Sequence, residues 1–140
     1  MCARTFGKIG GGIMKSEQVL SVEQMKHLQE LGLDTSDASM VFQRGSATRH
    51  EWVLHVMGYA DVSLREKEFT YTLQDILDKL PESVRVYDLY IFKKVGLWWL
   101  KYVDVTNNGT VRLEKMPRLI DAAYYMLCWC IQKGYVKTKE

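Results

Sequence analysis

Two stretches carry residue types that could do chemistry: "YYMLCWCIQKGYV", with Cys128 and Cys130 one residue apart, and "HEWVLH", His50 to His55, which resembles a zinc-protease pattern. On a helix, successive residues turn by about 100°, so positions 128 and 130 point about 200° apart and cannot share a metal or close a disulfide. Cys130 falls on an apolar stripe with Ile120, Ala123, Leu127 and Ile131, which predicts an inert, packed thiol. Cys128 falls with Asp121, Tyr125 and Gln132 and is expected to be the more exposed. No cation lies near it in sequence to lower its pKa. "HEWVLH" is one residue too long for H-E-x-x-H, and its composition favours a strand, on which positions five apart face opposite sides. His27 belongs to a helix, so no histidine pair has ligand spacing, and neither a metal site nor a cofactor is expected.

Other catalytic signatures are missing from the sequence: no nucleophile elbow, no phosphate loop, and no dinucleotide fingerprint following a strand. The carboxylates Asp75, Asp78 and Glu82 read as a solvated helix surface and its cap. This favours a non-catalytic interaction or accessory protein over an enzyme whose site is assembled from scattered residues. One surface has more specific chemistry. If two consecutive strands alternate regularly, Tyr90, Phe92 and Lys94 share a face of the first, and Trp99 and Lys101 share a face of the second. Were the two faces the same, the rings could meet a protein partner or a second copy of the chain. Rings interleaved with lysines also suit single-stranded nucleic acid, because bases stack on aromatics while ammonium groups meet phosphates. The competing expectation is that helices cover this face, since an open apolar patch is costly in a monomer.

The elements that must position these residues follow from capping and periodicity. Ser21 and Gln24 form a capping box for a helix with Val22, Met25, Leu28 and Leu31 on one face, ended by Gly32. "MVFQR" and "HEWVLHVMG" read as strands around "GSAT", and "YADVSLREKEF" as a connection in which Val62 and Leu64 could form an edge strand. Thr72 and Asp75 cap a second helix with Leu73, Ile76, Leu77 and Leu80 on its stripe, stopped by Pro81. "VRVYDLYIFKKV" and "LWWLKYVDV" are strands joined tightly at Gly96; "TNNGT" is a turn and "VRLEKM" a fifth strand or a lead-in. A last helix is expected from Pro117 to Lys133, with Gly134 as its stop.

The order αββαββα predicts an α+β domain: an antiparallel sheet of four to five strands with three helices mainly on one face. The predicted core adds Trp52, Leu54, Leu89, Ile91 and Leu100 to the apolar helix positions. Residues 1–13, rich in glycine, read as a flexible extension, leaving a single domain over 14–140. At 140 residues one core suffices, and 47% apolar with 26% charged residues is ordinary globular composition. The formal charge of +2 does not by itself identify a nucleic-acid or membrane partner. Three cysteines, Cys2 included, make an odd count that favours reduced thiols and a cytoplasmic setting. No apolar run approaches the roughly 20 residues needed to span a bilayer, so no membrane partner is expected.

"LSVEQMKHLQELG", "YTLQDILDKLP" and "AAYYMLCWCIQKGYV" together resemble a group of small uncharacterised proteins carried by gut anaerobes and their phages or mobile elements. That resemblance spans the three helices and implies one domain beginning near Met14. It brings no assigned activity and therefore transfers no catalytic residue or substrate.

Overall fold

The computed structural model describes residues 6–9, 12–15, 18–45, 48–58 and 66–138. Its elements are β1 (Phe6–Ile9), β2 (Gly12–Lys15), α1 (Val22–Glu30), β3 (Met40–Arg44), β4 (Val53–Val56), β5 (Glu66–Thr70), α2 (Leu73–Lys79), β6 (Ser83–Val84), β7 (Tyr87–Lys94), β8 (Leu97–Asp104), β9 (Gly109–Met116) and α3 (Leu119–Gln132). The class is α+β, with three helices and antiparallel sheets. The strands are divided rather than continuous: β4-β3-β5 form one sheet, β6-β7-β8-β9 another, and β1 pairs only with β2. That small hairpin, in the register Phe6↔Lys15 to Ile9↔Gly12, runs across the boundary between the glycine-rich residues 1–13 and the remainder of the chain.

Each helix has at least one end with a local cause. Ser21 Oγ accepts from Gln24 N at 3.1 Å while Ser21 N donates to Gln24 Oε1 at 3.0 Å, a closed capping box on α1. Thr72 and Asp75 repeat that exchange on α2 at 3.2 and 3.0 Å. Gly134 takes φ +80° and Tyr135 N donates to Cys130 O at 2.8 Å, the Schellman closure expected at the end of α3. At the start of α3, Pro117 lies outside the helix, and the extended residue before Leu119 is Arg118. Lacking a side-chain oxygen, Arg118 instead donates two hydrogen bonds to Asp121, at 2.8 and 3.1 Å.

Two strand features differ from the sequence reading. Residues 66–69, the end of the stretch that reads as a connection, form β5 with Thr70 beside β3, and Val62 and Leu64, which could form an edge strand, lie outside the described residues. "VRLEKM" belongs to a full eight-residue strand, β9, antiparallel to β8. The β5 pattern was hidden because "EKEFT" buries only its end: Thr70 is fully buried and its hydroxyl donates to Leu20 O at 2.6 Å. Beside it, Leu20 N donates to Tyr71 O, and Tyr71 OH donates to Asp37 at 2.8 Å. The two Leu20 bonds tie the segment before α1 to the residues that lead into α2, and the Asp37 bond ties those residues to the loop after α1.

The main core lies between the helices and one face of the four-stranded sheet. Met25, Leu28, Ile76, Leu100, Tyr102, Ala123, Met126 and Leu127 are its fully buried centre. A smaller cluster joins Val19 to Met40, Phe42 and Leu54, with Trp52 half-buried at its edge. Ile91, expected in the core, is 39% exposed. It pairs with Leu100 and shares its face, but α3 lies over β8 and β9, leaving the β7 side less covered. Leu31, Leu73, Leu77 and Leu89 are only partly buried, packed against the margin of the main core.

The β7–β8 hairpin turns through Val95 (φ 55°) and Gly96 (φ 74°), the paired positive φ of a two-residue turn that favours Asn-Gly. Val95 is 84% exposed, so nothing buried compensates a β-branched residue in the left-handed region. Val95→Asn should therefore stabilise the protein by about 1 kcal/mol, read as a thermal midpoint higher by roughly 3 °C. An unchanged or lower midpoint would show that the turn carries no strain.

Candidate functional site

Cys2 lies outside the described residues, and Cys128 and Cys130 do not form a site. Cys130 is fully buried, and its Sγ lies 3.8 Å from Tyr102 OH, which itself donates to Pro81 O at 2.7 Å. Cys128 is also buried, at 7% exposure, contrary to the solvent-facing position expected from its helical angle. The reason is that α3 is covered on more than one side. Gln24 of α1 reaches Asp121 at 3.4 Å, the His27 and Tyr124 rings meet edge to face, and β8 and β9 lie against the helix. Trp129, between the two cysteines, is buried against Tyr102 and Tyr135, with ring centroids at 6.0 and 5.5 Å. Tyr125 alone among the large α3 apolar side chains is strongly exposed.

Burial raises both thiol pKa values, that of Cys130 to about 11, so neither is a ready nucleophile. The histidines do not converge either: His50 sits in a loop at φ 63°, whereas His55 pairs with Val41 inside the three-stranded sheet. The α2 carboxylates have structural partners. Asp75 closes the helix cap and accepts from Ser39, and Asp78 accepts from Gln74 at 2.7 Å. Among the described residues, no three His, Cys, Asp or Glu side chains group to hold a metal.

The aromatic and basic residues do come together. Phe92 pairs with Trp99 and Tyr90 with Lys101 across β7 and β8, placing Tyr90, Phe92, Lys94, Trp99 and Lys101 on one face. Leu100 and Tyr102 take the opposite face into the core, so the helices occupy the side away from the rings. Phe92 and Trp99 stack with centroids 5.7 Å apart and planes within 15°. Trp99 Nε1 donates to Lys94 O at 3.1 Å, which fixes the indole's orientation. Lys101 Nζ lies 5.3 Å from the Phe92 ring centroid.

A third lysine completes the arrangement. Lys115 of β9 pairs with Trp99 and sets its Nζ 4.9 Å from that ring. Its place is weakly marked in the sequence, where "VRLEKM" fits either a fifth strand or a lead-in to the last helix. The usable signal was alternation in "VRLEKM", where Val111, Leu113 and Lys115 occupy one parity and Arg112, Glu114 and Met116 the other. Along the ring-bearing face, among the described residues, Lys94, Lys101 and Lys115 oppose one carboxylate, Asp88, at the far end of β7. Tyr90 is 44% exposed and Leu113 38%, so this face is open among the described residues. Beside Tyr90 the surface dips into a depression of about 310 Å³ bounded by Tyr90, Lys101, Val103, Val105 and Asn108.

Comparison of the chain with family models, with curated proteins and with solved structures found no match. No helix among the described residues is long and apolar enough to cross a membrane.

Because the thiols are protonated more tightly in the folded state, unfolding above the usual thiol range near 9 releases protons. The contribution of Cys130 to stability is complete below that range and is lost as pH rises through about 11. Urea midpoints should fall across this window, and less so in Cys130→Val. In native protein at about pH 8, iodoacetamide should spare Cys128 and Cys130, while labelling both after unfolding. Rapid native labelling of either would contradict the packing described.

Proposed function

We propose that the protein is a non-catalytic binding module that holds single-stranded nucleic acid on the open face of β7, β8 and β9. The observation carrying this reading is the stacked Phe92–Trp99 pair flanked by Lys94, Lys101 and Lys115. A base has a π-face that stacks on such a pair regardless of sequence, and its phosphates draw the ammonium groups off the rings into charge-assisted contacts. Duplex bases are already stacked on each other, so the platform favours unpaired strands.

Self-association and protein binding use the same rings and form the second reading. Val111 and Leu113, exposed on β9, favour it by adding apolar area. Charge weighs against a face-to-face dimer, which would bring two sets of these lysines together with, among the described residues of the face, Asp88 alone to offset them. An anionic strand has the complementary charge.

Tryptophan fluorescence titration with a mixed-sequence oligonucleotide should show salt-sensitive binding. Trp99→Ala should weaken it about tenfold, in keeping with the loss of one stacking partner. Lys101→Ala should reduce the slope of log affinity against log salt by about 0.7, the value for one phosphate contact on a single strand. Absence of binding at low salt, or concentration-dependent dimerisation that Trp99→Ala abolishes, would overturn the reading in favour of a protein interface.

A further inference from the structure

Resting on that reading, we infer that the depression beside Tyr90 is a second base subsite, so the unit recognised is a dinucleotide with Lys101 at the phosphate between its bases. Lys101 belongs to both places: it bounds the depression and also stands 5.3 Å from the Phe92 ring centroid. An ammonium group there is within reach of a phosphate joining a base on the Phe92–Trp99 platform to a base in the depression.

The spacing selects a single strand. Positions two apart on a β-strand are about 6.8 Å apart, roughly twice the 3.4 Å rise between stacked bases in a duplex strand. Bases on the Phe92 row and the Tyr90 row are therefore splayed from each other, which an unpaired strand permits and a duplex does not. The Phe92 row is Phe92, Trp99 and Lys115; the next row is Tyr90, Lys101 and Leu113.

The depression has the chemistry for a base rather than a phosphate. Val103, its most buried boundary residue at 8% exposure, and Val105 are apolar, while Tyr90 supplies a ring. Asn108, at φ 59° in the β8–β9 turn, supplies an amide able to donate and accept at a base edge. Its volume of about 310 Å³ is at the lower end for ligand pockets. Asp88, paired with Val103 on the same face, repels a further phosphate beyond the depression. The lysine track thus ends here, and additional nucleotides extend towards Lys115 and Lys94.

The test compares thymidine monophosphate with the thymidine dinucleotide d(TpT) by tryptophan fluorescence, using wild type, Asn108→Gly and Val105→Glu. Wild type should bind d(TpT) at least tenfold more tightly than the monophosphate, the effect of one additional base contact. Val105→Glu, at an exposed position, should collapse that ratio towards one, and Asn108→Gly, which suits the positive φ, should reduce it severalfold. Equal wild-type affinities, or a ratio that survives Val105→Glu, would overturn the subsite and leave the platform standing. If neither ligand binds and a longer oligonucleotide also fails, the platform reading falls with it.

Discussion

A helix that is apolar around most of its circumference cannot sit on the surface of a protein, and α3 is such a helix. From Ile120 to Ile131 all residues but Asp121 and Tyr125 are buried. Covering it takes the four-stranded sheet together with α1 and α2, and each is held to the task by its own polar ties. Gln24 reaches Asp121 from α1, while Tyr102 spans from the sheet to the end of α2 through Pro81 O. Burying one leucine of such a core is worth about 1.5–3 kcal/mol, whereas each polar tie contributes about 1 kcal/mol and chiefly fixes orientation.

That demand decides which face of β7, β8 and β9 is left open. Strand alternation commits Leu100 and Tyr102 to α3 and sends their neighbours Trp99 and Lys101 the other way. A one-residue register slip would exchange the two sets, exposing core residues and burying lysines, so the packing of α3 also protects the ring platform. The Trp99 bond to Lys94 O and the Phe92 stack then hold the platform before any partner arrives. Groups already in their bound geometry lose less side-chain freedom on association.

The helix ends were legible because their signals are local: Ser21 with Gln24, Thr72 with Asp75, and Gly134 each act within a few residues. The aromatic face was legible for a related reason, since strict alternation in two strands joined by a tight turn leaves one register. Burial of Cys128 was not, because helical angle gives direction but not how many neighbours a helix has. Nor was β5 legible: "EKEFT" is mostly charged, and its place beside β3 comes from pairing with "MVFQR" across the chain. Splitting of the strands into separate sheets is likewise non-local. Lys115 and the depression depended on β9 joining β8, a pairing that the polar residues of "VRLEKM" only half announce.

Among the described residues, the outer border of β9 ends its sheet with no further strand beside it. An open border of this length is a template on which copies of a chain can polymerise by backbone pairing. Arg112, Glu114 and Lys115 place charges along it, and the irregularity opposite Tyr102 and Val103 bends it out of a straight register. A parallel, in-register cross-β stack would have to align those charges on identical charges at every step. The border thus works against fibril growth, allowing rings to remain open on the adjoining face at little risk of aggregation.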